Sequence, residues 1–156
     1  QNSSMKLALA RPTAVYGCRD NFDPASSHVI PALIQRAFKR ENPFEIWGTG
    51  NEVRDFIHAS DLAYGSLLLM EKHAHNDPVN IAYGQDITIG EIARIILELT
   101  GHTEAEVVFN TSRPTSISYR RVNIDKARQL LGFEPKMSLR EGLKQVCEWY
   151  QERTYE

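Results

Sequence analysis

Apolar positions along this chain follow two periods, one near two residues and one near 3.6, and the switches between them mark its elements. Met5–Ala10 is short, apolar and strand-like, and it ends at Arg11–Pro12 because Pro12 has no N–H to give a ladder. Thr13–Ala25 carries the turn formers Gly17, Asp20, Asn21, Asp23 and Pro24 and is expected to be a loop. Ser26 or Ser27 is the expected cap of a helix of about 14 residues. Val29, Ile30, Leu33, Ile34, Ala37 and Phe38 give that helix its buried face, and Pro31 lies in the first turn, where a missing N–H costs little. Phe44–Trp47 and Asp55–His58 are strand-like on either side of a glycine loop, Gly48–Gly50. A helix is expected from Ser60 or Asp61 to Lys72, with Ala63, Leu67, Leu68 and Met70 available for burial. Asp77–Pro78 breaks it, and Val79–Tyr83 reads as a buried strand ending at Gly84.

Thr88 followed by Glu91 is a capping box for a third helix, which carries Ile92, Ile95, Ile96 and Leu99 and ends at Gly101. Glu106–Asn110 is strand-like, and Thr111–Val122 is a polar loop with Arg113, Pro114, Arg120 and Arg121. Asp125–Leu131 forms a short helix closed by Gly132. Ser138 and Glu141 cap a last helix with the stripe Leu143, Val146, Cys147 and Tyr150. Strands alternate with helices and no internal repeat appears, so the class is α/β.

Composition narrows the function classes. With 156 residues, 42% hydrophobic and 24% charged, the chain is long enough for one real core and reads as an ordinary soluble globular protein. A net charge of −2 makes no electrostatic case for nucleic acid or a membrane surface. No run reaches the roughly 18 apolar residues of a membrane span, and Gln1–Ala10 has no basic region followed by a long apolar core. Cys18 and Cys147 lie far apart without metal-ligand spacing, which fits a reduced, cytoplasmic setting.

The chemistry gathers in Trp47–Asp61 (WGTGNEVRDFIHASD), where glycines, a guanidinium and an indole share one segment. Such a set suits a phosphorylated ligand with a flat or sugar-like body. Gly48-Thr49-Gly50 is not a dinucleotide fingerprint, because Val53 stands at the third glycine position and a strand follows where a helix should begin. Arg54 is the leading candidate for a ligand contact, against a salt bridge to Glu52, Asp55 or Asp61. Trp47 is either core or the aromatic face for a nucleotide. His28 stands at a helix N-terminus, where the dipole favours a neutral, proton-accepting ring, against a plain surface or capping role. His73, His75 and His102 read as surface residues. No G-x-S-x-G, H-E-x-x-H or P-loop occurs. Tyr-x-x-x-Lys is missing too: the residues four after Tyr16, Tyr64, Tyr83, Tyr119 and Tyr150 are Asp20, Leu68, Ile87, Asn123 and Thr154.

Four runs carry a resemblance: RPTAVYG (11–17), DNFDPASSHVIPALI (20–34), WGTGNEVRDFIHASDLA (47–63) and KARQLLGFEPKMSLREGLK (126–144). Together they resemble the C-terminal half of extended short-chain dehydrogenases/reductases, the NAD(P)-dependent epimerases, dehydratases and reductases of nucleotide sugars. The 20–34 run is most similar to the GDP-L-fucose synthase (GDP-4-keto-6-deoxymannose epimerase/reductase) branch. The resemblance implies a single truncated domain over 1–156: the substrate-binding part with the last strands of a Rossmann sheet, without the dinucleotide-binding half. It implies that Pro12, Thr13, Ala14 and Val15 line the nicotinamide end of the cofactor site, and that His28 touches cofactor and acts in epimerisation. Arg36, Trp47 and Arg54 match contacts to the nucleotide sugar, and Arg113 or Arg121 stands where the family places another phosphate-facing arginine.

Departures from that pattern are Cys18 for proline, Ala14 for asparagine, Ala59-Ser60 for Val-Asp and Thr115-Ser116 for Asp-Gly. The family's glycine-rich cofactor turn, catalytic Ser/Thr and Tyr-x-x-x-Lys have no counterpart in this chain. The expectation is therefore a nucleotide-sugar-binding portion that neither binds NAD or NADP nor catalyses by itself. A homodimer or a complementary cofactor-binding chain is the expected partner, since Met5–Ala10 and Val79–Tyr83 would otherwise leave sheet edges bare. The competing readings are a self-associating binding module and a remnant without function of its own.

Overall fold

The computed structural model of the chain describes residues 5–113 and 117–155. In order, its elements are β1 (Leu9–Pro12), β2 (Ala14–Tyr16), α1 (Val29–Phe38), β3 (Phe44–Trp47), β4 (Val53–Arg54), β5 (Phe56–His58), α2 (Ala59–Lys72), β6 (Pro78–Ile81), β7 (Ile87–Thr88), α3 (Ile89–Leu99), β8 (Val107–Asn110), α4 (Asp125–Leu131) and α5 (Leu139–Tyr155). This is the α/β mixture that the two periods predict. The departure at Thr115-Ser116 lies outside the described residues.

Parallel pairing dominates. β1 runs beside β6 with Leu9 opposite Pro78, β2 beside β5 with Ala14 opposite Phe56, and β3 beside β8 with Phe44 opposite Val107. β4 and β7 pair antiparallel. Helices α1, α3 and α5 enclose one apolar cluster around Phe44, Ile34, Ile92, Ile96 and Val146. α2 and α4 enclose a second around Ile57, Ile81, Leu131 and Phe133.

Several expectations need correction. The first strand begins at Leu9, not Met5, because its partner begins only at Pro78, just after the bend at His75-Asn76. The predicted loop 13–25 contains β2, a strand held by its distant partner β5. Ser26 and Ser27 do not cap α1: their N–H groups donate to the Asp23 carbonyl at 3.0 and 2.8 Å, and the Ser26 hydroxyl to the Asp23 carboxylate. The cap position falls to His28, and the helix is 10 residues long.

α2 starts at Ala59, with the His58 ring accepting the Ser60 N–H. Its buried side is Asp61, Gly65 and Leu69, whereas Ala63, Leu67 and Met70 face out. Gly65 decides this orientation. A Cβ there would stand 2.6 Å from Ile81 Cγ2 and 2.9 Å from Phe133 Cε2, so the helix lies close against β6 only through its smallest residue. The predicted capping box at Thr88 is complete, with the Glu91 N–H donating to the Thr88 hydroxyl and the Thr88 N–H to the Glu91 carboxylate. At Ser138 the Glu141 N–H donates to the Ser138 hydroxyl, which itself donates to the Glu141 carboxylate. Gly132, at φ 65°, closes α4.

Candidate functional site

β3 ends at Trp47, and the chain reverses through Gly48 and Gly50 at φ 89° and 78°. Glycine is required here: a Cβ on Gly50 would lie 2.2 Å from the Phe109 ring. Glu52 folds back into this turn. Its Oε1 accepts the Thr49 N–H at 2.9 Å and the Thr49 hydroxyl at 3.0 Å. Burial pushes the Glu52 carboxyl up, but the N–H groups of Thr49, Glu52 and Gly50 outweigh it and hold it below the usual range, as a carboxylate. The turn thus carries its own anion, and its donors are not free to cradle a phosphate. It is also fastened to α3, whose Ile89 and Gly90 N–H groups donate to the carbonyls of Glu52 and Gly50.

Beyond the turn, Arg54 lies in the wall of two neighbouring clefts. The larger, of about 490 Å³, brings together Arg36, Trp47, Glu52 and Arg54 over an apolar floor of Leu33, Ile46 and Ile89. Arg36 reaches it from α1, with its guanidinium over the Phe44 ring and donating to the Glu45 carbonyl at 2.6 Å. Burial pulls the Arg36 pKa down while Glu41 and Glu45 hold it up. Trp47 is half exposed (50%), and Arg113 lies over its ring at 5.1 Å.

The smaller cleft, of about 200 Å³, is lined by Thr13, Ala14, Val15, Asp20, His28, Arg54 and Arg120. β2 supplies Ala14 and Val15, and Thr13, just before it, donates its hydroxyl to the Asp55 carbonyl, tying the start of β2 to the residue that follows Arg54. His28 uses no side-chain hydrogen bond as the α1 cap. Asp55 and Tyr16 also border this cleft but are not poised for proton transfer. Burial raises the Asp55 carboxyl, but it is engaged by the N–H groups of Tyr83, Gly84 and Val122. Burial, aided by Tyr83 and Asp61, pushes the Tyr16 phenol well above its ordinary value.

Of the residues singled out in the sequence, Arg36, Trp47 and Arg54 share one cleft, and Thr13, Ala14, Val15 and His28 share its neighbour. Arg113 stands at the rim. Two fall elsewhere: Pro12 ends the exposed strand β1, and Arg121 turns toward Asp86 and the Gly84 carbonyl. Arg120, Asp20 and Glu52 line the clefts without having been singled out. Val53 makes a bridge to Tyr119, and the Arg120 N–H donates to the Val53 carbonyl, so 119–121 is locally extended and successive side chains point to opposite sides. His102 is not a plain surface residue; its ring contacts the Glu41 carbonyl at 3.0 Å. Among the described residues no group of His, Cys, Asp and Glu is placed to hold a metal.

Comparison with known proteins gives this geometry its ancestry. Residues 1–82 match the model of the NAD dependent epimerase/dehydratase family. The chain belongs to that family. A member from Oryza sativa subsp. japonica, probable GDP-L-fucose synthase 1, is 37% identical over 147 residues, covering 92% of this chain and 44% of the relative. The dTDP-4-dehydro-6-deoxy-D-allose reductase of Streptomyces bikiniensis is 34% identical, over 94% of this chain and 44% of its own length. The UDP-glucose 4-epimerase of Thermotoga maritima, solved with UDP-glucose, superposes with a TM-score of 0.85 at 32% identity, over 96% of this chain and 47% of that one. This epimerase/dehydratase chain thus spans less than half the length of each of these three relatives. Members of the family are NAD(P)-dependent, and among the described residues no helix is long and apolar enough to cross a membrane.

Proposed function

We propose that this chain is the nucleotide-sugar-binding portion of an NAD(P)-dependent epimerase, dehydratase or reductase, and that it is inactive by itself. The observation that carries the reading is the convergence of Arg36, Trp47 and Arg54 on one cleft that adjoins the cleft holding His28. An aromatic face and an apolar floor suit a base, guanidinium groups suit a diphosphate, and Arg54 at the junction directs the sugar toward His28. Relatives named for GDP-, dTDP- and UDP-linked sugars support the substrate class.

The fit to a nicotinamide cofactor is partial. Thr13, Ala14, Val15 and His28 form a wall that suits the nicotinamide end, where the cofactor would supply or accept hydride. The pyrophosphate finds no cradle in the one glycine turn near the clefts, since Glu52 occupies its donors. A complementary cofactor-binding segment supplies that cradle and the proton-relay tyrosine.

Such a segment, or a second copy of the chain, would also cover surface that is bare. Parallel strands normally have both faces covered, yet β1 is exposed along its whole length. Leu67 and Met70 on α2 are 58% and 63% exposed. Calorimetric titration of the chain with UDP- and GDP-sugars tests the reading: at least one is expected to give saturable heat. No binding of any at millimolar concentration would overturn it.

A further inference from the structure

Glu52 is 8% exposed, lines the larger cleft, and has one carboxylate oxygen, Oε2, that is buried without a hydrogen-bond partner. Its other oxygen accepts the Thr49 N–H and hydroxyl. A buried carboxylate with one oxygen unserved is costly, and the cost is recovered when a donor arrives. Arg36, Lys39 and Arg54 share the cleft, but the phosphates of a nucleotide diphosphate satisfy such cations and are repelled by Glu52. The donor that suits Oε2 therefore comes from the other end of the ligand, the base, lying on Trp47 and the apolar floor.

We infer that Glu52 is a specificity-determining residue that accepts hydrogen bonds from the N–H edge of the base and so selects guanine over uracil. This rests on the nucleotide-sugar reading above and deepens it. The Watson–Crick edge of guanine offers two adjacent donors, the ring N1–H and the exocyclic amine, which match a carboxylate. The uracil edge offers a single N–H flanked by two carbonyl oxygens, which a fixed carboxylate repels. Hydrogen bonds to a charged partner are worth enough to separate the two bases by about tenfold or more. The role requires Oε2, buried in this structure, to turn toward the cleft while Oε1 stays on Thr49.

The test is calorimetric titration of the chain with GDP, IDP and UDP. IDP keeps the guanine ring system and N1–H but lacks the exocyclic amine. The expected order is GDP tightest, with IDP and UDP each weaker by about tenfold. In Glu52→Gln the gap between GDP and UDP should narrow to about threefold or less, because the amide no longer repels the uracil carbonyls. UDP binding as tightly as GDP, IDP binding as tightly as GDP, or a folded Glu52→Gln variant that keeps the full preference would each overturn the role of Glu52 while leaving the cleft as a nucleotide site. If none of the three binds, the nucleotide reading of the cleft falls, and this inference with it. Should Glu52→Gln fail to fold because Thr49 loses its anchor, the GDP-to-IDP ratio of the unaltered chain decides alone.

Discussion

The Arg113 guanidinium lies over the Trp47 indole, 5.1 Å from the ring centre, and also meets the Glu45 carboxylate at 3.8 Å. Both groups are half exposed, so the stack contributes little to stability and much to the shape of the cleft rim. Trp47→Ala is expected to weaken nucleotide-sugar binding by about tenfold and Arg113→Ala by about threefold, with the melting temperature nearly unchanged. Titration calorimetry beside a thermal melt separates the two effects.

Gly65 bears on stability rather than binding. Gly65→Ala places a methyl against Ile81 and Phe133, both fully buried. Overpacking of this kind should cost about 1–3 kcal/mol, outweighing alanine's better helix propensity. Urea denaturation reads it directly, and an equal or higher midpoint would show that α2 can shift.

Asp61 joins α2 to the segment before α5. Its buried Oδ2 accepts the N–H groups of Lys136 and Met137 at 3.0 and 2.9 Å. Asp61→Ala should lose about 1–3 kcal/mol, because it leaves both donors unpaired away from water. Asp61→Asn, which keeps an acceptor, should lose less.

His58 gives the stability a pH dependence. Burial lowers its pKa, and the nearby Asp61 only partly restores it. The folded chain therefore holds His58 neutral while the unfolded chain protonates it near pH 6.5. Below that pH the unfolded state binds more protons, so His58's contribution, full above pH 6.5, declines as pH falls toward and through the depressed folded value. Melts between pH 8 and pH 5 should show a steeper acid-side loss in the native chain than in His58→Gln; parallel curves would count against it.

The exposed apolar residues of α2 call for a hydrodynamic test. At high concentration the chain alone should self-associate, and Leu67→Glu with Met70→Glu should return it to monomer. A clean monomer in light scattering before any substitution would remove the support for a docking role.

Legibility in the sequence followed the range of the interactions. The capping box at Thr88, the side-chain cap at Ser138 and the close of α4 at Gly132 are local, and their residues announce them. β2 is not local: Ala14–Tyr16 becomes a strand only because Phe56–His58 lies beside it. The buried side of α2 was obscure because apolar residues surround that helix, and a glycine's closeness to Phe133 has no periodicity to betray it. In the site, Trp47 and Arg54 were singled out by residue type and company and Arg36 by the family resemblance, and the fold brings the three to one cleft. Glu52 and Arg120 were not, since a charged loop residue reveals its environment only once other elements enclose it.

The position of Arg54 in both cleft walls has a thermodynamic consequence. One guanidinium can neutralise only so much negative charge, so in the proposed site an anionic group settling on it from the larger cleft would weaken its pull on an anion in the smaller one. Occupancy of the two clefts by anions would then be coupled, and the coupling reciprocal: whatever factor one ligand imposed on the other's affinity, it would receive in return.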